Sequence, residues 1–306
     1  MRVALLGLGA MGSAIAPHIH HAGLLAAAWN RSPGPAEALW RRGIPIVGTI
    51  EAAVEGADVV LTSLADDTAV CQVTDQILAA ARPGAIWLDT STISAELAIR
   101  LAATVRTHAV EYLDTPVSGG VAGAEAGRLT TMVGGSRDAL AKALPVLQTF
   151  SATITHVGPS GAGQTVKAAN QIVVAATLAG LADAVALVQA GGIDPSVTLE
   201  VLSTGLAGSR LLDAKTANLL ERDFPPTFRL DLHAKDLALA SRRAGEVGSW
   251  SPTTDHLLNL FRAAQRDGLG ELDHSAIAAL IAAGPTPTTC DRPDDSTRNP
   301  KFPARQ

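Results

Sequence analysis

Cysteine is nearly absent from this sequence. Cys71 and Cys290 are the only two among 306 residues, so a disulfide framework is excluded and a reducing compartment, the cytoplasm, is expected. No group of Cys and His residues has the spacing of a zinc site. His18, His20 and His21 lie together at the end of a predicted helix, where a solvated face explains them, and the sequence predicts no metal site.

Aromatic residues and basic runs are also scarce. Aromatics make up 3% of the chain and the net charge is −5, which argues against a nucleic-acid partner. Hydrophobic residues make up 47% and charged residues 17%, which is enough to build the cores of about two domains.

Two apolar runs resemble membrane signals, but neither fits one well. The run from Val3 to Ala16 is interrupted by glycines and preceded only by Arg2, so it is a poor signal peptide. The run from Ile172 to Ala190 is long enough to span a bilayer, yet it carries Asp183 and Gln189. We interpret it as a helix buried between domains or subunits and predict no membrane partner.

The first 30 residues have the pattern of a strand-helix-strand unit. A strand predicted from Arg2 to Leu6 is followed by a glycine-rich turn, a helix from Ala10 to about Ala22, and a strand from Leu24 to Trp29. Such a turn lets a pyrophosphate approach the backbone and the N-terminus of the helix. The sequence therefore predicts a dinucleotide site at Gly7, Leu8, Gly9, Ala10, Met11 and Gly12.

The end of the second strand indicates which dinucleotide binds. Asn30, Arg31 and Ser32 stand where an NAD site usually has an acidic residue for the ribose hydroxyl. An arginine at this place suits a 2′-phosphate. We expect NADP(H) to be preferred and NAD(H) to remain possible; the alternative is that Arg31 is an ordinary surface residue in a turn.

Strands and helices continue to alternate up to about Val157, and polar residues follow several of the strands. In a doubly wound sheet, ligands sit at the carboxyl ends of the strands. Ser118, Gly119 and Gly120 form a small loop whose backbone N–H groups can hold a carboxylate. We expect substrate contacts from this loop and from Ser91, and cofactor contacts from Ser63, Leu64 and Thr92.

After a hinge at Gly158-Pro-Ser-Gly161, every predicted element is a helix. The predicted fold is therefore α/β, with an N-terminal Rossmann-like dinucleotide-binding domain over residues 1–158 and an all-α domain over residues 159–283. From residue 284 to residue 306 the sequence is rich in Pro, Thr, Asp and Arg without a period, and this tail is predicted to be disordered.

Lys167 and Asn170 stand near the start of the longest predicted helix, from Gln164 to Ala190. They are three residues apart and share one face, and Gly163 is expected to leave room beside them. A buried lysine changes its pKa readily, which suits proton transfer. The alternative is a solvated helix start with an exposed Lys167.

From Met1 to about Ala283 the chain resembles the β-hydroxyacid dehydrogenase family. The resemblance rests on motifs that end in Gly12, Gly120, Asn170 and Asp236. It implies that the first motif binds the cofactor and the second binds the substrate. The third carries the catalytic Lys167 and Asn170, and the fourth brings Lys235 to the cofactor. It also implies a homo-oligomer, either a dimer or a tetramer.

Several segments of the helical half resemble the tartronate semialdehyde reductase branch, among them Gly205-Leu-Ala-Gly-Ser209 and Asp267-Gly-Leu-Gly-Glu-Leu-Asp-His-Ser275. That branch reduces a small β-aldehyde acid to glycerate, with the lysine as proton donor. Three alternatives remain: a 3-hydroxyisobutyrate or other β-hydroxyacid dehydrogenase, an imine reductase, or a cofactor-binding interaction module without activity. Imine reductases share the fold but generally lack the lysine.

Overall fold

The computed structural model describes residues 1–284, and the tail prediction from residue 285 onward lies outside them. An eight-stranded sheet organises the first half of the chain. Its strands are β1 Val3–Leu6, β2 Leu25–Trp29, β3 Val59–Thr62, β4 Ile86–Asp89, β5 Glu111–Asp114, β6 Val117–Ser118, β7 Leu129–Gly134 and β8 Ser151–Gly158.

Seven helices accompany this sheet within the described residues, and six more follow it. The first group is α1 Ala10–His21, α2 Pro33–Trp40, α3 Ile50–Val54, α4 Asp67–Ala80, α5 Ala95–Arg106, α6 Gly120–Glu125 and α7 Arg137–Leu147. The second group is α8 Ala162–Ala190, α9 Pro195–Thr204, α10 Arg210–Glu221, α11 Leu230–Glu246, α12 Pro252–Arg266 and α13 Ile277–Ala283.

The strand order is β2-β1-β3-β4-β5-β7-β6, with β8 paired to β7. Strands β1 to β5 are parallel, whereas β7 runs antiparallel to β5. The carboxyl ends of the parallel strands therefore meet at one edge of the sheet, as a dinucleotide-binding fold requires. This confirms the predicted fold class.

Alternating side chains of the strands bury two separate cores. Val3 and Leu5 of β1 face a core that includes α1 and α7, whereas Ala4 and Leu6 face a core that includes α4 and α5. Both faces of the sheet are covered, which explains why its strands are apolar runs rather than alternating ones.

Helix α8 is the central element of the second half. By length and composition alone it could cross a membrane. In this fold it packs against α11, α12 and α13 on one side and contributes to a smaller core with α9 and α10 on another. Its first turns also contact β7, β8 and α5, so α8 joins the two halves of the chain.

Three short elements were not predicted: α2, β6 and α6. The segment Pro33-Gly-Pro has the composition of a turn, but proline is also tolerated in the first turn of a helix, where α2 begins. Ile46 makes an isolated bridge with Ala28.

Candidate active site

The glycine-rich turn after β1 leaves open space at the start of α1. A Cβ on Gly7 would overlap the carbonyl of Ser63, and a Cβ on Gly12 would overlap the carbonyl of Gly7, so both glycines allow close packing. Gly9 caps α1 without a side-chain hydrogen bond and has no atom near the position of a Cβ. Ala10 and Met11 form the first turn of the helix. This uncapped helix start fits a pyrophosphate.

Asn30 holds this turn in place from the end of β2. Its Oδ1 accepts a hydrogen bond of 2.8 Å from the N–H of Leu8, and its Nδ2 donates one of 2.8 Å to the carbonyl of Ser32. The side chain of Leu8 is buried in the core. The amide of Asn30 is thus engaged within the protein, whereas Arg31 and Ser32 are exposed beside the turn.

The ends of β3 and β4 are tied together and to α8. The N–H of Leu64 donates to Oγ of Ser91 over 2.8 Å, and Nε2 of Gln164 donates to the Ser91 carbonyl over 2.8 Å. Ser91 is only 2% exposed. Its side chain therefore connects the strand ends, and a substrate contact by Ser91 stays a prediction.

The loop Ser118-Gly119-Gly120 connects β6 to α6. Both glycines have positive φ, 129° and 63°, and a Cβ on Gly119 would press on Leu129. Ser118 is half-buried and the two glycines are exposed. The loop therefore presents its backbone to solvent in a conformation that favours glycine.

Asp114, at the end of β5, caps the helix that carries Lys167. Its carboxylate accepts hydrogen bonds of 2.8 Å from the N–H of Gly161 and 3.0 Å from the N–H of Gln164. Burial raises the pKa of Asp114 to about 6, against the opposing effect of these two bonds. The room that the sequence predicted beside Gly163 is taken by the backbone and carboxylate of Asp114, which a Cβ on Gly163 would overlap.

Lys167 is buried, with 8% of its surface exposed. The alternative of a solvated lysine at the helix start is therefore wrong. Its Nζ donates a hydrogen bond of 3.1 Å to Oε1 of Gln171, one helical turn later. Burial lowers the pKa of Lys167, and the charge of Asp236 opposes that shift.

Gln171 and Asp236 complete a polar network around this lysine. Asn170 donates to Oε1 of Gln171 over 2.9 Å, and Nε2 of Gln171 donates to Oδ2 of Asp236 over 2.7 Å. Oδ1 of Asp236 lies 3.1 Å from Nζ of Lys235, an ionic contact without hydrogen-bond geometry. Asn170 and Lys167 thus share Oε1 of Gln171 as their acceptor.

Lys235 connects this network to the sheet. Its Nζ donates to the carbonyls of Ala65 and Thr92, over 2.9 Å and 2.7 Å, next to the ends of β3 and β4. A continuous series of contacts therefore runs from the glycine-rich turn through Ser63 to Lys235, and from there to Lys167.

The sequence did not single out Gln171, Asp236 or Gln164 as site residues. Two signals were available. Gln171 follows Lys167 at the spacing of neighbours on one helical face, and Asp236 is the last residue of the fourth motif of the family resemblance. Gln164 carried no comparable signal, since its contacts with Ile93 and Ser91 join distant parts of the chain.

A second buried network lies deeper in the helical half. Nζ of Lys215 donates to both oxygens of Asp273, over 2.8 Å and 2.9 Å, and to Thr227 over 2.9 Å. Burial alone would raise the pKa of Asp273, but hydrogen bonds from Lys215, Ser275 and Thr227 outweigh it and hold that pKa well below its usual range.

Two neutral histidines lie between the networks. His233 and His274 share a contact of 3.0 Å between their Nδ1 atoms, and burial lowers their pKa values to about 4 and about 3. Nε2 of His233 lies 3.1 Å from the carbonyl of Gln171, which can only accept, so Nε2 carries the proton. Within residues 1–284, no three His, Cys, Asp or Glu residues form a group that could hold a metal.

Comparison with known proteins assigns both halves of the chain to described families. Residues 2–158 match the NAD binding domain of 6-phosphogluconate dehydrogenase, and residues 161–281 match the NAD-binding domain of NADP-dependent 3-hydroxyisobutyrate dehydrogenase.

Curated relatives align over nearly their whole length. An NAD-dependent L-serine dehydrogenase of Pseudomonas aeruginosa is 35% identical, with 92% of this chain and 97% of that protein covered. The 2-hydroxy-3-oxopropionate reductase of Escherichia coli is 33% identical, with 92% and 97% covered.

Solved structures agree with these matches. Mycobacterium tuberculosis 3-hydroxyisobutyrate dehydrogenase with L-serine has a TM-score of 0.83 and 32% identity, covering 92% of this chain and 99% of that one. An imine reductase of Streptomyces aurantiacus has a TM-score of 0.64 and 22% identity over 92% of this chain and 99% of its own, a likeness of fold alone. The glycine-rich turn, the buried lysine and these matches agree: the chain belongs to the β-hydroxyacid dehydrogenase family and is an NAD(P)-dependent oxidoreductase that acts on CH–OH groups.

Proposed function

We propose that the protein uses NADPH to reduce a small β-aldehyde acid, namely tartronate semialdehyde (2-hydroxy-3-oxopropanoate), to glycerate. The observation that carries this proposal is the environment of Lys167. Its side chain is buried with the amide of Gln171 as its partner, and Lys235 and Asp236 link it to the strand ends beside the glycine-rich turn.

The proposed step requires a proton from the protein. NADPH, when bound, would supply the hydride to the carbonyl carbon. The ammonium of Lys167 donates its proton to the carbonyl oxygen as the new C–H bond forms, which leaves an alcohol and a neutral amine. In the oxidation direction the neutral Lys167 takes the hydroxyl proton. Asn170 supports Lys167 through their shared contact with Gln171.

The choice of substrate rests on shared chemistry. The names of three relatives contain the substrates L-serine, 3-hydroxyisobutyrate and 2-hydroxy-3-oxopropionate. In each of these compounds one carbon separates a carboxylate from a hydroxymethyl or aldehyde group. The N–H groups of the Ser118-Gly119-Gly120 loop suit that carboxylate. The helical segments that resemble the reductase branch favour a hydroxyl on the carbon between the two groups.

The choice of cofactor rests on Arg31. The residues directly after β2 are Asn30, Arg31 and Ser32, none of which is acidic, and the exposed guanidinium of Arg31 beside the glycine-rich turn suits a 2′-phosphate. NADPH is therefore the proposed partner, with NADH as a weaker one.

A substrate panel tests both choices. Purified protein is assayed with tartronate semialdehyde, L-serine, 3-hydroxyisobutyrate and a cyclic imine, each with NADP(H) and NAD(H) separately. We expect the highest kcat/KM for tartronate semialdehyde with NADPH. A higher kcat/KM for L-serine with NAD would refute both the proposed substrate and the proposed cofactor. Turnover of the cyclic imine alone would refute the proposed reaction.

The proposed assembly is a homodimer or homotetramer in the cytoplasm. Helices α8 and α9 expose Val173, Leu187 and Val201 to between 64% and 74%, with Ile193 exposed between the helices. A second copy of the chain is the proposed cover for this apolar surface. A monomer by light scattering at micromolar concentration would refute this assembly.

A further inference from the structure

Gln171 lies between two groups of opposite charge that would otherwise be free to pair. It is only 3% exposed. Its Oε1 accepts from Nζ of Lys167 over 3.1 Å, and its Nε2 donates to Oδ2 of Asp236 over 2.7 Å. An ammonium can only donate and a carboxylate can only accept, so these two contacts fix the orientation of the amide.

The amide gives Lys167 an acceptor without a charge. A carboxylate in direct contact would stabilise the ammonium strongly and oppose the loss of its proton. The carboxylate of Asp236 also has a second cationic neighbour, because its other oxygen lies 3.1 Å from Nζ of Lys235. The negative charge nearest to Lys167 is therefore shared with another lysine and separated from it by a neutral group.

We propose that Gln171 is the positioning residue of this site: its amide holds Nζ of Lys167 in place for the reacting carbonyl and prevents a direct ion pair between Lys167 and Asp236. The inference rests on the proposed proton donor and concerns the residue that controls it. Asn170 bonds the same Oε1 over 2.9 Å, which limits rotation of the amide.

The charged groups around Lys167 come mainly from α11. Burial lowers the pKa of Lys167; the charge of Asp236 opposes this shift, and the charge of Lys235 adds to it. His233, also on α11, is neutral because burial lowers its pKa to about 4. On the side of the sheet, Asp114 faces the first turn of α8, where its carboxylate accepts hydrogen bonds from two backbone N–H groups.

The experiment follows the titration of Lys167 itself and needs no substrate. The chain contains five lysines, so NMR of isotope-labelled lysine yields few signals, and the signal missing from Lys167→Ala belongs to Lys167. In Gln171→Met the midpoint of this titration should move to lower pH, because a methionine of similar length still separates Lys167 from Asp236 but offers the ammonium no acceptor. With the best substrate of the panel, kcat should fall about 100-fold, because Nζ is no longer held in place.

Gln164→Met is the matched control. Gln164 lies on the same helix, is also 3% exposed and makes two hydrogen bonds, but it does not contact Lys167. Its loss should lower the stability and leave the midpoint unchanged. Asp236→Asn retains the bridge but removes the charge, so it should also lower the midpoint.

The outcomes separate two kinds of failure. Equal midpoints in wild type and Gln171→Met, or equal shifts in Gln171→Met and Gln164→Met, would show that Gln171 only packs the helix. If Gln171→Met does not fold, Gln171→Glu makes the same test: it keeps the size of the side chain and places a carboxylate against Lys167, so the midpoint should rise, and an unchanged midpoint would overturn the proposal. Shifted midpoints without turnover of any panel substrate would instead refute the proposed reaction and retain the role of Gln171.

Discussion

Two buried lysines of the helical half, Lys215 and Lys167, have opposite surroundings. Lys215 contacts both oxygens of Asp273 directly, over 2.8 Å and 2.9 Å. Lys167 contacts Gln171, and only the far side of that amide contacts the carboxylate of Asp236. They are similarly buried, at 6% and 8% exposed, so the difference lies in the partner and not in the solvent.

This difference separates a lysine that holds the fold from one that can exchange a proton. The direct pair of Lys215 and Asp273 compensates both charges, and the removal of one partner leaves the other buried and unpaired. The network of Lys167 tolerates a change of charge, because the amide of Gln171 remains bonded to Asp236 whether Lys167 is protonated or not. Burial lowers the pKa of Lys167, which favours that change.

The largest expected effect is on turnover. Lys167→Ala should lower kcat by about 10²–10⁴-fold, the usual span for the loss of a general acid. Cofactor binding should persist, because the glycine-rich turn and Arg31 are untouched. Steady-state kinetics together with cofactor titration by fluorescence measure both quantities, and a loss of cofactor binding as large as the loss of kcat would contradict the assignment.

Substitution of Lys215 should act on stability instead. Lys215→Met leaves Asp273 buried without its cation and should cost about 3–5 kcal/mol of unfolding free energy. Lys167→Met should cost clearly less, because Asp236 keeps both Gln171 and Lys235. Urea unfolding of the two variants compares them directly, and equal losses would remove the distinction between the two lysines.

Arg31 allows a smaller test on the side of the cofactor. Arg31→Ala should weaken NADPH binding by about 1–3 kcal/mol, the range for hydrogen bonds with charged groups. NADH binding should hardly change, because it lacks the 2′-phosphate. Equal losses for both cofactors would show that Arg31 does not contact that phosphate.

The last expected effect is a pH dependence of stability at Asp114, which lies away from the cofactor turn. Its pKa in the folded protein is about 6, above the ordinary value of 3.8, so folding takes up a proton between these values. The contribution of Asp114 to stability is therefore present below about pH 4 and lost as the pH rises through 6, by about 3 kcal/mol at about 1.4 kcal/mol per pKa unit. In Asp114→Asn this dependence should vanish from urea unfolding measured between pH 4 and 7; an unchanged dependence would assign it to another group.

Much of the fold could be predicted from local patterns. The glycine-rich turn between two apolar strands and the long apolar run of α8 each specify an element within one stretch of sequence. Helix α2 was missed because its prolines suit a turn and a first helical turn equally well.

The site was predictable only in part, for a different reason. Lys167 and Asn170 stand out as polar residues on an apolar helix, but their mutual contact with Gln171 depends on the rotamers of three side chains. The contact between Gln171 and Asp236 joins residues on α8 and α11, far apart in sequence. Such partners follow from helix packing, which a single sequence does not specify.

The kcat of Lys167→Arg tests the central claim most directly, namely that Lys167 gives up a proton and does not act only as a fixed charge. Arginine keeps the positive charge but holds its proton too tightly to donate it. With tartronate semialdehyde and NADPH, we expect the turnover of Lys167→Arg to be as low as that of Lys167→Ala. A turnover near that of the wild type would mean that the proton comes from water or from another group, and the account of Lys167 as the donor would be contradicted.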